Sequence, residues 1–109
     1  MGINAQLITP SGCAGRLGSL VTDADLGNSP LVQATELCLH KRGAKCLACV
    51  KRCPVKAVTE TGIQRRLCWQ RLNANQIHGE QLRGFAASTH VCGKCQVLVP
   101  CILKIPKAG

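Results

Sequence analysis

At 109 residues the chain is one small domain, too short to bury a large self-sufficient core. One Trp, one Phe and no Tyr exclude an aromatic-rich interior, and nine cysteines are the staple a domain of this size needs. The formal charge of +9 is split into a net −2 over residues 1–40 and a net +11 over residues 41–109; such a basic half points to nucleic acid, an acidic redox partner, or compensation of a buried anion.

Met1 to Gln6 has no basic stretch followed by an apolar run, so it does not read as a secretory signal. Gln6 stands where a myristoylation pattern needs Ser or Thr. No apolar stretch is long enough to span a bilayer, so a cytoplasmic, reducing setting without membrane attachment is expected. There, clustered cysteines are metal ligands before they are disulfides.

In chain order, residues 3–9 and 16–22 are expected as short extended segments separated by a turn at Pro10-Ser11-Gly12. Asn28-Ser29-Pro30 is a second break. Leu31, Ala34, Leu37 and Cys38 fall at helical spacing and predict a short helix over 31–40. Residues 41–45 form a polar loop, and Pro54 stops any helix reaching Cys53 because it has no N–H to donate. Residues 64–76 are rich in helix formers, with Leu67, Trp69 and Leu72 as a partial apolar face. Gly79, Gly84 and Gly93 mark loops, and Pro100 and Pro106 keep the tail irregular.

The cysteines carry the chemistry. Cys46, Cys49 and Cys53-Pro54 form Cys-x2-Cys-x3-Cys-Pro, the later part of the bacterial two-cluster ferredoxin run. The x2 step lets one tight turn present two thiolates to the same cubane, and the x3 step aims the next sulfur at a neighbouring cluster. Gly43 occupies the position of the run's first cysteine, and Cys38 is the nearest upstream replacement. A second group is Cys92, Cys95 and Cys101, with Val99 at the position where a standard run ends. Cys68 lies between the groups.

These eight suffice for two [4Fe–4S] clusters. The crossed logic of two-cluster ferredoxins assigns Cys38, Cys46, Cys49 and Cys101 to one, and Cys53, Cys68, Cys92 and Cys95 to the other. Two such clusters with their thiolates carry roughly two negative charges each, which would bring +9 down to about +5. Cys13 is left over, expected as a small buried or half-exposed thiol.

The competing chemistries explain less. Two Cys-x2-Cys pairs can hold one tetrahedral zinc, in a zinc-dependent nucleic-acid-binding module, but this leaves Cys38, Cys53, Cys68 and Cys101 unused. Gly12, Gly15 and Gly18 do not form a dinucleotide fingerprint. His40 and His90 do not pair with cysteines as a Rieske centre needs and are expected as solvated loop residues. Trp69, beside Cys68, is expected either to shield a cluster from water or to pack in the core. Asp23 and Asp25 are expected to serve turns.

Cys46-x2-Cys49-x3-Cys53-Pro54, then Cys68, then Cys92-Gly93-Lys94-Cys95-Gln96 resembles the iron–sulfur part of the epoxyqueuosine reductase family and its uncharacterised relatives. Residues 18–26, Gly-Ser-Leu-Val-Thr-Asp-Ala-Asp-Leu, are similar to the segment leading into those clusters. The resemblance implies cluster ligation by Cys46, Cys49, Cys53, Cys68, Cys92 and Cys95, and by Cys38 and Cys101, whose loops depart from the usual spacing. It also implies that residues 1–30 are an extended segment left from a preceding domain, with 31–109 the two-cluster domain. The cobalamin-binding domain of that family has no counterpart here, so no catalytic residue carries over.

The expected fold is α+β: a small, loop-rich, ferredoxin-like dicluster domain with short helices and a short extended N-terminal segment. The expected function is one-electron relay through two [4Fe–4S] clusters, without catalysis by the chain alone. The expected partner is a redox protein or a corrinoid-binding catalytic domain, with tRNA as a further possible ligand.

Overall fold

Among the described residues the regular structure is two helices and one hairpin, and most of the rest is irregular. The computed structural model describes residues 1–15, 17–30, 35–80 and 90–107. The elements are α1 (Ala48–Arg52), β1 (Val58–Thr59), β2 (Gly62–Ile63) and α2 (Arg65–Glu80).

Helix α1 is a single turn between ligand-candidate cysteines. It ends at Cys53, which has left helical backbone at φ −72° and ψ 114°; the following Pro54 cannot continue the hydrogen-bond ladder. The chain then turns over residues 53–56, closed by Lys56 N–H donating to Cys53 O at 3.2 Å. Lys56 takes a left-handed φ of 53° to complete the turn.

The hairpin that follows was not expected from the sequence. Val58 pairs with Ile63 and Thr59 with Gly62, antiparallel, across the two-residue link Glu60-Thr61. Gly62 has φ +148°, open only to glycine at low cost. Thr59 Oγ1 donates to Gly62 O at 3.0 Å, and Gln64 N–H to Ala57 O at 2.7 Å extends the pairing.

Helix α2 meets the expectation of a helix from residue 64 onward and runs through Gly79, where the sequence predicts a loop. Its packed face differs from the predicted one. Cys68, Arg71, Leu72, Asn75 and Gln76 are half-buried at i, i+3, i+4, i+7 and i+8, whereas Leu67 and Trp69 are exposed. Asn75 Nδ2 ties the helix to Val91 O at 2.7 Å.

No helix forms over the described part of 31–40. Residues 31–34, and with them Leu31 and Ala34, lie outside the described residues, as does Gly84; Thr35 to Cys38 is non-helical and Leu39 opens a turn. The cause is local competition: the Glu36 carboxylate accepts from Cys38 N–H at 2.9 Å, a side-chain bond that competes with helical pairing. Gly43, at φ +87°, closes the turn that follows.

The extended segments expected at 3–9 and 16–22 do not form strands among the described residues, from which Arg16 is excluded; an isolated bridge between Thr9 and Gly12 forms instead. The turn at Pro10-Ser11-Gly12 is present, with Gly12 N–H donating to Thr9 O at 2.9 Å.

Residues 1–14 pack with the cysteine-bearing loops. Ile3, Ile8 and Cys13 form a small core with Cys38 and Val99. Cys13 N–H donates to Cys101 O at 2.8 Å and Ala14 N–H to Ile102 O at 3.1 Å, while Asn4 Nδ2 reaches Cys95 O at 2.9 Å. Residues 17–30, by contrast, are exposed throughout. Among the described residues no helix is long and apolar enough to cross a membrane.

Candidate functional site

The nine cysteines are free thiols, and eight of them line two cavities. Cys38, Cys46, Cys49 and Cys101 share the first, a partly open cavity of about 350 Å³ with its solvent-facing space included. Its other walls are Gly2, Ile3, Asn4, Ile8, Leu39, Ala48, Val99, Pro100 and Pro106, so no charged side chain among the described residues lines it. Cys53, Cys68, Cys92 and Cys95 share the second, of about 330 Å³, with Pro54, Val55, Val58, Ile63, Arg71 and Lys94.

Local folding explains the division. Cys46 enters from the 41–45 turn, its N–H held by Ala44 O at 2.8 Å. One turn of α1 presents Cys49 to the first cavity, and the change to extended backbone at Cys53 turns the next sulfur to the second. The two residues that delay Cys101 relative to a standard run carry it beside Cys13. Val99, which occupies the standard position, is a buried core residue instead. Gly43 serves the turn that follows the Cys38 region.

In the second cavity, Cys68 projects from the packed face of α2 and Arg71 follows one turn later. Cys92 and Cys95 flank a tight turn in which Gln96 N–H donates to Gly93 O at 2.9 Å. Ala57 N–H donates to Cys53 Sγ at 3.1 Å.

Burial raises several thiols, and neighbouring sulfurs add to the effect. Cys49 is pushed up to about 11, first by burial and then by Cys38, with Cys46 and Cys95 adding repulsion. Cys101 is pushed up to about 12 by burial and by Cys13, with Cys49 contributing. Burial also raises Cys68, with repulsion from Cys92 and Cys53. Cys95 rises for the same reason, with Cys68, Cys92 and Cys53 as neighbours. Repulsion therefore acts mainly within each group, and the Cys49–Cys95 coupling shows that the groups are adjacent. Glu36 shifts the other way, lowered chiefly by the Cys38 N–H it accepts.

The donor set fits a soft metal group: four thiols to each cavity, with Arg71 and the exposed Lys94 among the residues around the second. Arg71 Nε there is buried with no hydrogen-bond partner among the described residues, an arrangement that costs free energy unless negative charge sits nearby. Among the described residues no three His, Cys, Asp or Glu side chains are grouped so as to hold a single metal ion.

Trp69 lines neither cavity. It is 54% exposed and stacks on His90 with ring centroids 5.4 Å apart and planes at 25°. His90 is half-buried, with Nδ1 buried and without a hydrogen-bond partner among the described residues, rather than solvated; His40 is also half-buried. Neither lines a cysteine cavity.

Sequence reasoning missed Arg71, Lys94 and the Ala57 amide. Arg71 had a usable signal, since it follows Cys68 by three residues within a helix-forming stretch. No protein-family profile, curated protein or solved structure matches the chain.

Proposed function

We propose that the chain is an electron-transfer module that holds two [4Fe–4S] clusters, one on Cys38, Cys46, Cys49 and Cys101 and one on Cys53, Cys68, Cys92 and Cys95. One observation carries this reading: four cysteines from separated stretches line each of two adjacent cavities of similar size. The chain has the ferredoxin-like dicluster plan in this reading, and its acceptor is a corrinoid-dependent reductase of epoxyqueuosine-reductase type.

When bound, such clusters supply reversible one-electron chemistry. The residues of the chain do the rest. Ile3, Ile8, Leu39 and Val99 give the first cavity apolar walls, and Arg71 and Lys94 balance anionic charge in the second. The short path from Cys49 to Cys53 through α1 holds the two sites at a fixed separation, which a relay requires. The thin buried core makes the fold depend on metal–thiolate bonds, so binding free energy is folding free energy.

The test is iron and sulfide analysis with EPR on anaerobically prepared protein. About eight irons per chain with inorganic sulfide, and two interacting reduced signals, are expected. Stoichiometric zinc in a colourless protein would replace this function with a zinc-dependent nucleic-acid-binding one.

A further inference from the structure

Resting on the two-cluster reading above, we infer that Arg71 and Lys94 make the Cys53, Cys68, Cys92 and Cys95 site the higher-potential one, so that the electron settles there and leaves from that end. Adding an electron makes a cluster more negative. Cations and amide donors around its ligand sulfurs stabilise the reduced form and raise its potential.

The second cavity has both. Arg71 and Lys94 line it, Arg71 Nε is buried with no protein acceptor among the described residues, and Ala57 N–H donates to Cys53 Sγ at 3.1 Å.

The first cavity has no charged residue among the described ones that line it. Its amide side chain, Asn4, donates to Cys95 O, and Cys38 N–H goes to the Glu36 carboxylate rather than to sulfur. Lys41 and the N-terminal amine are themselves engaged by Glu36, at 3.4 and 3.9 Å. The side chain that does approach a ligand sulfur there is Cys13, with Sγ 3.6 Å from Cys101 Sγ, and a thiol is a weak donor.

The electron therefore enters at the first site from a low-potential one-electron donor and passes to the second. There a one-electron acceptor removes it. One centre is oxidised as the other is reduced, and no bond forms or breaks.

The experiment is a redox titration of the full, anaerobically prepared chain followed by EPR. Two waves are expected, separated by at least tenfold in equilibrium constant, or about 59 mV for a one-electron couple. Arg71→Gln should lower the upper wave by about tenfold and leave the lower wave in place, with Arg71→Lys restoring it. Lys94→Gln should move the same wave in the same direction, and it decides the matter if Arg71→Gln loses iron. Iron-loaded protein in which the lower wave moves, both move equally, or neither moves overturns the inference alone. A chain without iron and sulfide overturns the proposed function, and this inference with it.

Discussion

Cys13 Sγ lies 3.6 Å from Cys101 Sγ, and the two residues are also joined by the Cys13 N–H to Cys101 O bond of 2.8 Å. The unassigned ninth cysteine is thus the neighbour of a ligand candidate from the other end of the chain. A disulfide requires the sulfurs to close to about 2.05 Å, a small movement once no metal holds Cys101. Air oxidation should therefore release iron and leave a Cys13–Cys101 bridge, detectable as a cross-linked peptide by mass spectrometry. Cys13→Ser should abolish that cross-link while keeping the full iron content. Loss of half the iron in this variant would instead make Cys13 a ligand.

The same contact region depends on Gly12. Its φ is +89°, and a Cβ there would collide with the backbone of Ile102 and Leu103. Left-handed backbone costs a non-glycine residue about 1–2 kcal/mol, and forced overpacking typically adds about 1–3 kcal/mol. Gly12→Ala should destabilise the loaded protein by about 2–5 kcal/mol on these scales. The readouts are a lower thermal midpoint and faster iron loss to a chelator, because the stretch of chain carrying Cys101 is displaced.

Much of the site's layout was legible because its determinants are local. Cys49 and Cys53 are four residues apart, and Pro54 fixes where the helix between them stops, so their divergence follows from one turn of backbone. Helix α2 was legible from its composition, although its buried face was not. Cys68 and Arg71 turn inward, and Trp69 finds His90 instead. The hairpin escaped because two-residue strands give no periodicity, although β-branched Val58, Thr59 and Ile63 around Gly62 were a faint signal. The helix expected over 31–40 fails across its described part because a side chain, Glu36, captures the Cys38 backbone donor. The contacts of Asn4 with Cys95 and Cys13 with Cys101 span 91 and 88 residues, and no short-range pattern announces them.

The two cavities should be separable by mutation. Cys46→Ser and Cys92→Ser each remove one thiolate from a different group, so each should lower iron from about eight to about four per chain. The EPR of each variant should show one reduced signal without the interaction expected of the loaded pair. The double variant should hold almost no iron and lose most of its helical circular dichroism, since binding free energy and folding free energy are coupled. Complete iron loss in either single variant would mean one shared site rather than two.

Loading should depend on pH with a definite sign. Cys49 and Cys101 are raised from 9.0 to about 11 and about 12, so both are protonated thiols at neutral pH in the metal-free chain. Thiolates are the ligands, and metal must displace those protons. Cluster assembly from ferrous iron and sulfide should therefore release protons, and its apparent affinity should fall about tenfold per pH unit for each proton displaced. Assembly at about pH 8.5 should outpace assembly at about pH 6.5, as followed by absorbance and by proton release in weak buffer. Without metal the same shifts act oppositely. A thiol raised in the folded state gives stability that is present below 9.0 and lost as pH climbs through about 11 and about 12. Whatever fold the metal-free chain keeps should therefore weaken in alkali, while the loaded protein, whose thiolates are already ionised and bound, should not. Equal alkaline sensitivity of both forms would show that these sulfurs are not metal-bound.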